Sequence, residues 1–226
     1  MGSVVGQILP LAVGVALSPF PIIAVILMLF TPRARSNGSA FAVGWVAGLT
    51  VAVIVVLALS SASDTATSDS GGPSTTVGWL KSVLGVLLLF LALRRWRRRP
   101  PGGETPEMPR WMSAIDGFTP VKSLALGAAL SGLNPKNLAL TVAAAATIAA
   151  GGLSTGQEVA VSVIFIVLAS ITVVTPVVAF LLMGERAEGA LTSAKDWMAA
   201  NNDAVMAVVL VVFGIKLIGD GIGILT

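Results

Sequence analysis

Ala16-Leu17-Ser18-Pro19-Phe20-Pro21 and Ala129-Leu130-Ser131-Gly132-Leu133-Asn134-Pro135-Lys136-Asn137 are two polar, proline-containing interruptions of otherwise apolar sequence, and their relation decides the fold. Residue 129 lies 113 positions after residue 16, half of the 226-residue chain, and Leu17/Leu130 and Ser18/Ser131 keep that spacing. The chain reads as one unit written twice. Proline lacks a backbone N–H and its ring crowds the preceding turn, so each interruption should open a helix near its middle. Opened helices at matching places in two halves point to a transport site between them. The second interruption also carries Lys136, a charge that hydrocarbon makes costly unless it has a use.

Composition sets the solvent. Hydrophobic residues make up 55% of the chain and charged residues 11%, with a mean hydropathy of +0.92. A soluble domain carries roughly 25% charged residues. An integral membrane protein is expected, with about six spans of roughly 20 residues forming one domain. The chain has no cysteine and no histidine, which removes disulfides, thiolate chemistry and imidazole ligands or bases. No metal and no cofactor are expected. The net charge of +3 sits in loops between apolar segments, so it speaks for orientation and not for a nucleic-acid partner. The start, without a basic lead and with a long apolar run, reads as a first span and not as a cleaved signal.

Spans are expected over 4–30, 39–60, 77–93, 121–150, 157–183 and 202–224. The first and fourth should be broken, and Thr172, Thr175 and Pro176 should kink the fifth. Repeat one covers about 1–99, a basic Pro/Gly linker about 94–120, and repeat two about 121–226. Within the linker, 110–120 should lie at the interface with Trp111, Met112, Ile115 and Phe118 toward lipid. Residues 184–201 should form a mixed-charge connection. Trp79 and Lys81 are expected at the external interface. Of the 14 Lys and Arg residues, 11 fall in the first, third and fifth connections, which places those loops in the cytoplasm and both termini outside. Three spans per half is an odd number, so the halves enter the membrane in opposite senses, as an inverted repeat. Ala40, Gly44 and Gly48 form a small-residue stripe that suits close helix packing, within one chain or across a homodimer. The arginines from Arg94 to Arg99 fit a topogenic role, or docking of anionic lipid or a partner.

Ser18-Pro19-Phe20-Pro21 with Asn134-Pro135-Lys136 in the second half resembles the LysE-type exporter superfamily, whose members carry a Pro-Gly-Pro-like element in the first span and Asn-Pro-Lys in the fourth. Here Phe20 stands where the commoner form has glycine. The long basic linker, the Ser-Pro-x-Pro form and Phe41-Ala42-Val43-Gly44-Trp45 look like the Sap/GAP branch, the actinobacterial sulfolipid- and peptidoglycolipid-addressing proteins. The resemblance implies a bacterial cytoplasmic-membrane exporter whose substrate is a lipid or glycolipid.

Lys136 should lie roughly 20 Å into its span. No carboxylate is placed deep enough to meet it except Asp220, which has Lys216 four residues away on its own helical face. The lysine is then neutral in dry surroundings, solvated by a water-filled vestibule, engaged by an anionic substrate, or satisfied by backbone carbonyls freed at a break. The scarcity of deep carboxylates argues against cationic cargo. An anionic head fits better, met by Ser18, Pro19, Pro21, Ser131, Asn134, Pro135, Lys136 and Asn137 at the breaks and by the helix restarting after Pro135. Thr172, Thr175, Pro176, Lys216 and Asp220 are candidates for coupling or gating. Three functions stay open: lipid or glycolipid export, export of a small hydrophilic molecule, and a non-transporting assembly factor for a lipid-synthesis or export complex. An enzyme is not expected, because no nucleophile and base, paired buried carboxylates or nucleotide loop can be assembled.

Overall fold

The computed structural model describes residues 1–66, 75–97, 115 and 117–226. Among these the chain is helical with no strand: α1 Gly2–Ala16, α2 Pro19–Leu29, α3 Ala34–Ala66, α4 Thr75–Arg97, α5 Pro120–Gly132, α6 Pro135–Ala149, α7 Thr155–Met183 and α8 Glu188–Leu225, with a 3-10 turn at Gly184–Ala187 before α8. Both sequence breaks are real. Ser18 is extended and Pro19 starts α2, while Asn134 is extended and Pro135 starts α6. Proline is tolerated at a first helical position because the missing N–H would be unpaired there anyway. Asn134 also caps α6, its side chain accepting from the Lys136 amide at 3.1 Å.

The restarted helices occupy the centre. Val25, Ile26, Met28 and Leu29 of α2 and Ala139, Leu140, Ala143 and Ala144 of α6 are buried. Around them α3, α4, α7 and α8 turn Val51, Ile54, Val83, Phe90, Val163 and Val208 outward. A ring of exposed valine, isoleucine and phenylalanine around this core is the reverse of a water-soluble surface and suits lipid. Among the described residues, Ala34–Ser61, Thr75–Arg97 and Thr155–Leu225 are long and apolar enough to cross a membrane, and α1 with α2 qualifies as a pair bent by 53°.

The two halves of the sequence are interlocked. The most extensive contacts join α4 to α8 and α3 to α5, and α1 packs on α6 and α7. The small-residue stripe explains the α3–α5 seam. A Cβ on Gly44 would strike the Leu124 backbone, and one on Gly48 would strike the Ser131 side chain. The stripe therefore packs within the chain.

Several expectations change. Residues 188–201 are not a loop but the first turns of α8, because Ala190, Leu191, Ala194, Lys195, Ala199 and Ala200 are good helix formers. Helix α3 starts at Ala34 and α7 runs unbroken through Pro176. Ile115 is 1% exposed and belongs to the core instead of facing lipid, and the Phe118 carbonyl accepts from Asn37 Nδ2 at 3.0 Å. This tie draws the end of the linker inward against the start of α3. Trp79 is exposed at the start of α4, but Lys81 is 3% exposed and lies against α8. Lys81 shares the face of α4 that holds Gly78 and Gly85, and this face meets α8 along a glycine seam, so the lysine is covered by that helix. Trp111, Met112, Arg98, Arg99 and the loop 67–74 lie outside the described residues.

Candidate functional site

The last four carbonyls of a helix have no partner within it, and where α1 stops the next donors are removed by Pro19 and Pro21. Each orphan is nevertheless met. Val13 O accepts from Leu17 N at 2.9 Å. Gly14 O accepts from Lys136 Nζ at 2.7 Å. Val15 O accepts from Ser18 Oγ at 2.7 Å. Ala16 O accepts from Ser18 N at 2.8 Å and from Thr172 Oγ1 at 2.7 Å. Leu17 O, whose helical donor would be the missing N–H of Pro21, accepts from Lys136 Nζ at 3.0 Å.

The lysine therefore crosses from the second break to the first. Its third donor goes to Ser18 Oγ at 2.6 Å, so all three N–H bonds of an ammonium are used on one turn of unwound backbone. It is 2% exposed. Of the four accounts open from sequence, this geometry fits the one in which carbonyls satisfy the lysine, with those carbonyls supplied by the other half of the chain. Asn137 completes the bridge. Its Oδ1 lies 2.9 Å from Ser18 Oγ, and its Nδ2 donates at 3.0 Å to Leu130 O, left open where α5 ends. Ser131 is buried and donates to Ala128 O at 3.1 Å.

Ser18, Pro19, Pro21, Ser131, Asn134, Lys136, Asn137 and Thr172 thus gather around the two breaks, with Pro135 exposed at the start of α6. The remaining candidates stand apart. Thr175 is exposed beside a small cavity with Val46 and Ile166, and Pro176 is buried within α7. Lys216 and Asp220 are joined in an ion pair on α8, within electrostatic reach of Lys81.

Sequence reasoning missed two features. One is a cavity of about 890 Å³ between α3, α4, α5 and α6, lined by Val51, Val55, Leu80, Ala125, Ala129, Leu133 and Leu138 among others, with Ser60 and Thr76 as its hydroxyl-bearing residues. Gly48 and Gly132 line it too, which sets it directly against Ser131 and the second break. Val51, Val55, Leu59 and Leu133 are also exposed, so it opens on the outer face of the protein. The other is Arg95 of α4, which pairs with Asp203 of α8 at 2.7 Å and sits 5.7 Å from the ring centre of Phe20 at the first break. The unbroken apolar run of α3 and the lone Asp203 gave no pattern that could announce either.

Among the described residues no group of three His, Cys, Asp or Glu side chains is placed to hold a metal ion. Chemically the site is a buried polar knot of backbone carbonyls, one lysine and neutral side chains, beside a hydrocarbon-lined cleft. Residues 8–223 match the family model described as Sap, sulfolipid-1-addressing protein. No curated protein matches. No solved structure matches either.

Proposed function

Because the chain belongs to the sulfolipid-1-addressing (Sap) family, we propose that it moves a lipid or glycolipid with a polar or anionic head, intact, outward across the bacterial cytoplasmic membrane. The observation that carries this reading is the juxtaposition at the second break of a polar knot and an apolar cavity. A lipid has one part for each.

The cavity argues for a hydrocarbon occupant. Its volume is about 890 Å³ and its lining carries no charge. The cleft opens on the outer face beside Val51, Val55 and Leu133, where acyl chains are the solvent in a membrane and can enter it sideways. A small hydrophilic cargo would gain nothing from such walls, which weakens that alternative.

The chain acts as one membrane domain of two inverted repeats, with six crossings made by α1–α2, α3, α4, α5–α6, α7 and α8. Helix α7 has 29 residues and α8 has 38, so each alone exceeds the roughly 20 needed for a crossing. The packing supports the repeat. If α1–α2 corresponds to α5–α6 and α3 to α7, then the contact of α3 with α5 has its counterpart in that of α7 with α1, and both contacts are present. Helix α4 pairs with its own counterpart α8.

In the cycle, Lys136 ties the breaks together in the closed arrangement. When the halves rock apart, Nζ leaves Gly14, Leu17 and Ser18, and the freed cation with the restarted helix meets the anionic head. Thr172 holds the end of α1 to α7 through the same motion. Both termini lie outside and the arginine-rich end of α4 lies in the cytoplasm. The test is mass-spectrometric identification of lipid that co-purifies from native membrane. Wild type should retain a lipid that Ala129→Phe, which fills the cavity, loses. Equal retention by both would sink the assignment of the cavity.

A further inference from the structure

Among the described residues, three N–H donors converge on one oxygen at the end of α4. Asp203 Oδ1 accepts from Arg95 Nη2 at 2.7 Å, from Arg95 Nε at 2.9 Å and from Asn202 Nδ2 at 3.4 Å. Two of these come from a guanidinium, whose charge and planar fork match carboxylate, sulfate and phosphate oxygens alike. The floor of the site is Phe20, with the guanidinium over its ring at 5.7 Å. Beside it Asn202 is buried, and its Oδ1 has no hydrogen-bond partner among the described residues. A buried acceptor without a donor is unusual and asks for one.

We propose that this is a second head-group site, in which the Asp203 carboxylate occupies the place of an oxyanion until a substrate displaces it. The ligand class follows from the donor and acceptor set. Arg95 takes a phosphate or sulfate oxygen, and Asn202 Oδ1 takes a hydroxyl donor carried next to it, as in a glycerol phosphate or an acidic sugar. The inference rests on the lipid reading above only in supposing that this head carries acyl chains.

Position and access both favour exchange. The pair joins the last helix of each half, α4 and α8, and is about a quarter exposed on both sides, 26% and 24%. The pair is open enough for a competing anion to reach the guanidinium and exchange with the carboxylate. Displacement would release α8 from α4 at this end while the guanidinium stays on Phe20, the second residue of α2. The first break is held by Lys136 from the other side through Leu17 and Ser18. An anion at Arg95 therefore loosens the tie between α4 and α8 beside the first break, while Lys136 still holds Leu17 and Ser18. In this view Phe20 replaces a glycine because the guanidinium needs an aromatic platform there.

The experiment uses the full chain in nanodiscs of phosphatidylcholine with a stepped minor fraction of phosphatidylglycerol, and reads retained phosphatidylglycerol by native mass spectrometry. Asp203→Asn removes the internal competitor at constant shape and should raise retention about two- to fivefold. Arg95→Gln should abolish that gain in the double variant. Arg94→Gln and Arg97→Gln serve as controls for general attraction to anionic lipid and should leave the gain intact. Phosphatidylmethanol has the same charge without the hydroxyls, and the preference for phosphatidylglycerol over it should vanish in Asn202→Ala. Unchanged retention in Asp203→Asn would overturn the proposal, since a merely structural salt bridge predicts lower stability and no gain. Equal competition by soluble glycerol 3-phosphate would overturn the lipid source while leaving an anion site. Export is scored separately in cells, so a site that binds without export would count against the transport reading and not against this one.

Discussion

Lys136→Met keeps the length and volume of the side chain and deletes its donors. Two carbonyls, Gly14 O and Leu17 O, then lose their Nζ bonds of 2.7 and 3.0 Å in a region where the lysine itself is 2% exposed. Neither can recover a helical partner, because Ser18 N is committed to Ala16 O and Pro21 has no N–H. A buried polar group left unpaired costs about 1–3 kcal/mol, so the two together should cost about 2–6 kcal/mol. Ser18 Oγ loses a donor as well but keeps Val15 O and Asn137 as neighbours. At about 2–4 °C per kcal/mol, the melting temperature in detergent should fall by at least about 4 °C. Hydrogen exchange locates the effect. Amides from Val15 to Ile23 should exchange faster, while those in the middle of α4, which packs on α8, should keep their protection. A variant with the wild-type melting temperature and unchanged exchange across the first break would show that the lysine does not hold that turn, and the reasoning would fail.

Other perturbations separate the parts of the account. Thr172→Val removes only the bond to Ala16 O, which keeps Ser18 N, so it should cost about 0.5–1.5 kcal/mol in the same melting assay. Gly44→Ala places a methyl against the Leu124 carbonyl and must push α3 from α5, at about 1–3 kcal/mol. If it melted like wild type, the seam would be looser than described. Ala129→Phe fills open space instead of packed core, and should lower lipid retention with little change in melting temperature. A matched fall in both would mean that the cavity was already part of the core.

What the sequence disclosed and what it hid divide along physical lines. The breaks were legible at Ser18–Pro21 and Asn134–Pro135 because proline acts on its own chain neighbours, and its missing N–H is a local fact. The Lys216–Asp220 pair was legible for the same reason, four residues apart on one helix. For Lys136, backbone carbonyls freed at a break were one of four accounts the sequence left open, and that they belong to the other half of the chain was not legible. A search for a carboxylate finds none, since the lysine is neutralised in its hydrogen bonding by carbonyls, which every residue possesses and no letter marks. Those carbonyls lie 122 and 119 residues away in sequence. Arg95 and Asp203, 108 residues apart, are hidden by a different masking. The arginine sits in a run whose charge already has a topogenic explanation, and the aspartate sits in a stretch that reads as the edge of a loop. The helical character of 188–201 was underestimated because mixed charge was weighed more than alanine content. The cavity depends on how α3, α4, α5 and α6 pack around it, which leaves no periodic trace in the sequence.

The central claim is that the two breaks and the apolar cavity together carry a lipid outward. The most direct measurement is the lipid composition of the outer surface, extracted from intact cells that lack the protein and from the same cells complemented with wild type, Lys136→Met or Ala129→Phe at matched membrane abundance. The account predicts that one lipid class with a polar or anionic head appears outside only with wild type and accumulates inside with either variant. Surface lipid identical in all four strains, or restored in full by Ala129→Phe, would contradict it.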